Sequence, residues 1–372
     1  LCPNGFQRPS TRQLSKMGMM LACQDASPVP ELPVWTVAET PELSLGGVDA
    51  PPAERFGSAQ DALVLPDGGI AVLDSREFEI RFFDPDGSVR TVQGRRGEGP
   101  GEFRAPWALE LVPGDSVVAW DYVRDVLSFW STAGDFLGER PSNAHRVRHE
   151  GDLLPDGSIV VPRYGPSAPP PSSGRYRPHA VLVRYADSTQ QEFGDFPFDE
   201  ILAGSSSFQN MPFNARPAVA AGGSPLRIVV AENTNSPLVR IYDDADHVER
   251  EFELFDSRRP VTDEMWAEIR GSMVQRSRRP EAVERDLTAW GRPEFTPAFE
   301  SLHVDAAGRI WAVGTEDSTQ FAIVHDAEGA IARVELPALE RIFEIGEDYI
   351  LGMKRGDLDV HVVQRYRFTP HP

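Results

Sequence analysis

The sequence predicts an all-β fold, a six-bladed β-propeller of four-stranded antiparallel blades. Two observations carry that prediction. An apolar strand, a tight turn and a second apolar strand recur along the 372 residues, with most copies roughly 40–50 residues apart, the spacing of propeller blades. The 31 glycines and 33 prolines are spread over the whole chain, so turns punctuate all of it.

Residues 1–32 read as a leader and linker ahead of a propeller spanning 33–372. The two cysteines, Cys2 and Cys23, both fall in that leader. The propeller body therefore has no disulfide, thiolate metal site or cysteine nucleophile. Cys23 follows Met19-Met20-Leu21-Ala22 and precedes a polar tether, with Arg8, Arg12 and Lys16 upstream. This resembles the lipobox of a bacterial lipoprotein and would make Cys23 a lipidation site. The apolar stretch is shorter than the roughly 7–15 residues of an export signal, so a chance cysteine in an unstructured leader stands beside that reading.

The clearest blade begins Asp61-Ala62-Leu63-Val64-Leu65, turns at Pro66-Asp67-Gly68-Gly69 and returns through Ile70-Ala71-Val72-Leu73-Asp74. Short apolar runs around Asp-Gly turns are hairpin signals. Further first hairpins are expected around Gly114, Gly157, Gly222, Gly308 and Gly346. The sixth unit has three strand-like segments, at 342–345, 349–354 and 360–368. Val34-Trp35-Thr36-Val37 is expected to supply its fourth strand from the other end of the chain, which would close the ring and remove an open edge.

The run Gly94-Arg95-Arg96-Gly97-Glu98-Gly99-Pro100-Gly101-Glu102-Phe103-Arg104-Ala105-Pro106 matches the inter-blade signature of NHL-repeat propellers. Glycines allow the crowded crossing between blades, Phe103 can wedge there, and Pro106 can open a strand. Weaker echoes are Glu294-Phe295 with Pro297 and Pro212-Phe213 with Pro217. Residues 30–372 as a whole resemble six-bladed propellers of bacterial cell envelopes. That resemblance implies the fold and a place in the envelope or periplasm, and leaves the activity open.

Two insertions interrupt the repeat. Residues 163–179 join the second and third strands of the third blade and are rich in Pro and Ser. Residues 256–296 lie between blades four and five and read as a helical hairpin. Thr262 is placed to cap one helix, and Pro280 and Gly291 to start and stop the other. Such connections share one face of a propeller, so both insertions are expected over the same channel mouth.

The net charge is −20, which argues against a nucleic-acid partner. No apolar run reaches the roughly 18 residues of a membrane-spanning helix. A P-loop, a dinucleotide fingerprint, a nucleophile elbow and a His-Glu-x-x-His motif are all missing from the sequence. Lysine occurs only at 16 and 354, so positive charge is carried by arginine. The expected function is a non-enzymatic, monomeric binding or scaffold propeller without a cofactor. It would take a protein segment or an anionic small molecule at the mouth through Arg104, Arg146, Arg148, Asn214, Arg216 and Arg292. Pairing of these arginines with neighbouring carboxylates is the competing structural role. The alternative is a calcium-dependent hydrolase of lactonase or esterase type. Hard oxygen ligands from Asp61, Glu102, Asn214, Asn233 and Glu300, with Glu150 as a further candidate, would then hold Ca2+. His145 and His149 form a possible facing pair, while His303 and His325 read as structural.

Overall fold

Hairpins joined by short turns set the architecture. The computed structural model describes residues 32–51, 54–144, 151–164, 171–187, 189–203, 211–223, 225–233, 237–243, 247–254, 256–316 and 318–370. Cys23, His145, Arg146, Arg148, His149 and Glu150 lie outside the described residues.

After β1 (Val34–Val37) and β2 (Leu43–Gly46), strands β3 (Ala59–Val64), β4 (Ile70–Asp74), β5 (Glu79–Phe83) and β6 (Val89–Gln93) form a four-stranded antiparallel sheet in chain order. A second such sheet is β7 (Pro106–Val112), β8 (Ser116–Asp121), β9 (Val126–Ser131) and β10 (Phe136–Pro141). The third uses β11 (Asp152–Leu153), β12 (Ile159–Tyr164), β14 (His179–Ala186) and β15 (Thr189–Pro197). Beside it β13 (Gly174–Tyr176) pairs with β16 (Ile201–Ala203). The fourth is β17 (Ala218–Gly222), β18 (Arg227–Ala231), β19 (Leu238–Tyr242) and β20 (Val248–Glu253). Helices α1 (Asp263–Arg276) and α2 (Pro280–Trp290) follow.

The remaining strands join in one nine-stranded sheet. They are β21 (Ser301–Val304), β22 (Ile310–Glu316), β23 (Thr319–His325), β24 (Ala330–Glu335), β25 (Arg341–Ile345), β26 (Tyr349–Arg355) and β27 (His361–Thr369), together with β1 and β2.

Each four-stranded sheet packs its faces against its neighbours, so second strands are apolar on both sides. All five residues of β4 are buried, whereas the last strands β10 and β20 alternate between half-buried and exposed. Phe103, Leu63, Leu73, Phe82, Leu109 and Trp130 share the core between the first two sheets. At the other end Leu45, Leu351, Met353 and Val363 pack with Phe56, Ile70 and Phe83, which sets the last strands against the first sheet.

The N-terminal closure differs from the expected one. Val34–Val37 does not serve as the whole fourth strand. It pairs in parallel with β24 through Val34 and Trp35, then antiparallel with the end of β27 through Thr36 and Val37. The long edge of β27 is instead covered by β2, with Leu45 opposite Val363. The burial of Trp35 explains the bridging role. It is 5% exposed and lies 6.1 Å from Trp311 and 6.2 Å from Phe368, so one indole fills the seam between two groups of strands.

The two helices have unequal anchors. Thr262 Oγ1 accepts the Met265 N–H at 3.2 Å and caps α1, yet none of the α1 side chains is buried. On α2 the Val283, Leu287 and Trp290 stripe is buried against Leu202 and Met211. Gly291, at φ +74°, ends that helix.

Candidate functional site

Two cavities are built by these elements. The first, about 630 Å³, is axial. It is lined by residues of β3, β7, β11, β17, β21 and β25, the leading strand of each repeat. Asp61, Glu110, Asp152, Glu344, His303 and Arg341 are the titratable lining groups from five of the strands.

Asp61, Glu110 and Glu344 are half-buried and Asp152 is exposed, so each carboxylate is only partly hydrated among the lining groups. That dehydration pushes Asp61 up to about 7, Glu110 to about 8 and Asp152 to about 6, because the charged form loses solvation. Glu344 is also raised by burial, although it accepts hydrogen bonds from Tyr349 Oη at 2.7 Å and Val64 N at 2.8 Å. Asp61 accepts from the backbone N–H groups of Ala62 and Leu109. His303, a strand residue that the sequence reads as purely structural, faces this channel and is held neutral by burial, at about 4.

The second cavity, about 950 Å³, is off-axis and is made by both insertions. Its lining includes Arg175, Arg177 and His179 from the first insertion and Arg258, Arg292 and Phe295 from the second. The two cavities share a wall. Pro197 and Glu200 face the off-axis cavity, while Phe198 and Asp199 face the channel.

Each guanidinium of the off-axis cavity is oriented by the fold. Arg175 lies 4.4 Å over the ring of Trp290 and bonds Glu200 at 2.5 Å. Arg177 donates to the carbonyls of Phe198 at 2.9 Å and Ala215 at 2.7 Å. Burial pulls its pKa down from the usual arginine range. Arg258 is held by Asp256 at 2.7 Å and lies over Phe295. Arg292 donates to the Val261 carbonyl and has the exposed Asp263 at 3.5 Å. His179 Nδ1 is 2.7 Å from Asp195. Four arginines and two glutamates line this cavity, and Asp256 and Asp263 stand beside Arg258 and Arg292, so cations are concentrated there although their charges are matched.

Among the described residues, the arginines expected to ring one mouth do not converge. Arg104 is paired with Glu98 and lines neither cavity. Arg216 faces the axial channel and pairs with Asp199 at 3.1 Å. Of the described expected residues, only Arg292 lines the off-axis cavity. Asn214 stands behind it, its side-chain amide bonding both the N–H and the carbonyl of Glu200. The separation has a local cause, since each crossing supplies its own carboxylate partner.

The five alternative calcium ligands are dispersed as well. Asp61 lines the channel. Glu102 bonds Arg95 and Gly99 N, and Glu300 accepts from Thr315. Asn233 spends its amide on the Phe299 carbonyl and the Ala298 N–H.

Arg175, Arg177, His179 and Arg258 escaped the sequence reading. A signal was present in Arg175-Tyr176-Arg177-Pro178-His179. A spacing of two puts like side chains on one side of an extended segment.

No protein family and no curated protein matches the chain. Solved structures do. A member of the DUF4221 family from Bacteroides vulgatus is 11% identical, with 90% of this chain and 99% of that one covered and a TM-score of 0.50. A Bacteroides fragilis protein described as exported is 12% identical, covering 91% and 99%, at TM-score 0.47. A gluconolactonase from Xanthomonas campestris is 10% identical, covering 90% and 100%, at TM-score 0.44. At such identities the likeness speaks to fold alone. The chain is an all-β protein, with four-stranded antiparallel sheets in a β-propeller arrangement.

Proposed function

We propose that this chain is a six-bladed binding propeller that captures an anionic small molecule in the off-axis cavity. The blade count is supported by the six leading strands around the channel. The nine-stranded sheet then reads as two blades zipped together by β1. The Gly94-to-Pro106 crossing supports the NHL-like type.

The observation that carries the binding reading is the convergence of Arg175, Arg177, Arg258 and Arg292 on one cavity made by both insertions. Guanidinium groups present planar pairs of donors suited to carboxylate and phosphate. Residence in the cell envelope, with a lipid at Cys23, completes the reading and rests on the sequence of the leader.

The test is calorimetric titration of acetate and inorganic phosphate. Replacing Arg258 and Arg292 together by methionine keeps the stems and removes the charge. The expected result is at least a tenfold loss of affinity, while Arg104→Met and Arg216→Met leave it unchanged. Equal affinity in the double variant would overturn the assignment.

A further inference from the structure

The off-axis cavity is far larger than a small inorganic anion needs. Its volume of about 950 Å³ lies at the upper end of the range of roughly 300–1,000 Å³ for sites that enclose a drug-sized ligand. Its lining is also not purely ionic, because Phe213, Phe295, Pro197 and Pro293 contribute apolar surface among the arginines.

The two rings are held in unusual ways. Phe295 is 41% exposed, and the Arg258 guanidinium carbon lies 5.6 Å from its ring centre. Phe213 has φ +55°, a left-handed backbone that is rare for a bulky side chain. Such strain persists only where the surroundings impose it, and it gathers at ligand sites. Here Asn214 imposes it. Its N–H closes the turn onto the Met211 carbonyl at 3.3 Å, and its side-chain amide clamps the Glu200 backbone from both sides. Met211 is itself buried against α2. The turn therefore keeps a phenyl ring on the cavity wall at a conformational cost.

We infer that the cavity takes an arylcarboxylate, an anion whose flat apolar body lies among Phe213, Phe295 and the two prolines while its carboxylate meets the arginines. This inference rests on the anion-binding reading and narrows its ligand class. Aromatic and proline surfaces supply buried apolar area without ordering long side chains, and the cationic groups fix the head.

Calorimetric titration of the full chain with 1-naphthoate, acetate and inorganic phosphate tests it. Naphthoate should bind at least tenfold more tightly than acetate. Phe295→Ala and Phe213→Gly should each lower naphthoate affinity about tenfold and leave acetate unchanged. Glycine adopts φ +55° freely, so the second variant keeps the turn, and an unchanged melting midpoint confirms its fold. Acetate or phosphate binding as tightly as naphthoate would overturn the arylcarboxylate inference and leave the anion site standing. Naphthoate bound equally well after removal of Arg258 and Arg292 would overturn both, as would failure of all three probes to bind.

Discussion

A Cβ on Gly94 would lie 2.7 Å from the Phe103 ring and 3.0 Å from the Phe78 carbonyl, at φ +92°. One on Gly97 would lie 1.9 Å from the Glu102 carboxylate. The glycine-rich crossing is thus the seat of one aromatic side chain, 1% exposed, between two sheets. Phe103→Ala should cost ~3–5 kcal/mol, read from the denaturant midpoint of unfolding. This much is legible from residues alone, because glycine and phenylalanine spell out the geometry. The weaker echoes are not. Phe295 is exposed and Phe213 is twisted onto a cavity wall, while the buried ring at the crossing into β21 is Phe299. An aromatic residue after an insertion carries no sign of which way its chain turns. Arg292 was recognisable among the ligand candidates, but Arg175 and Arg177, which join it and Arg258, come from another insertion more than 100 positions before it, and periodicity is blind to such convergence.

At the scale of elements the three Asp-Gly turns, at 67–68, 86–87 and 156–157, each join the hairpin expected of them. In each, the turn chemistry and the apolar pattern agree, which is what makes a strand readable. The closure was harder to read, since the nine-residue β27 offers an edge long enough for two partners. β2 covers Val362 to Arg365 and β1 covers Phe368 and Thr369. The hydropathy of Val34–Val37 shows a strand but not that it faces two neighbours at once. Trp35→Ala should remove ~3–5 kcal/mol and expose the backbone of both β24 and β27 to hydrogen exchange. Exchange confined to one of the two strands would contradict the bridging role. On α1 the converse holds, for Trp266, Met273 and Val274 reach only half-burial beside the α2 cluster.

Over the whole molecule the net charge conceals where protons are held. Four carboxylates, Asp61, Glu110, Asp152 and Glu344, share the axial channel with Arg341 and His303. All four are raised by burial. Their unfolded values lie near 4, so between about pH 4 and 8 the folded state binds more protons than the unfolded chain. These groups therefore contribute a stability that falls as pH rises through that window and levels off above it. Glu110→Gln keeps the acceptor for Leu111 N, which Glu110 Oε1 now supplies at 2.9 Å. It should raise the melting midpoint at pH 9, by at least ~1 kcal/mol in stability, and leave it nearly unchanged at pH 4. An equal effect at both pH values would show that packing, not ionisation, is responsible.

The way β27 serves three partners bears on how the protein is made. Of the described strands, β1 and β2 are the first to leave the ribosome and β27 is the last. At about 5–20 residues per second, the earliest strands must wait on the order of half a minute for the edge that receives them. Meanwhile Trp35 and Leu45, both buried in the finished protein, have no seat. Translation that stopped short of His361 would leave β2 without its strand partner and β1 and β26 with one partner each. The ring thereby couples its closure to the synthesis of β27, and a product terminated before it would be left with apolar edges open to capture by quality-control proteases.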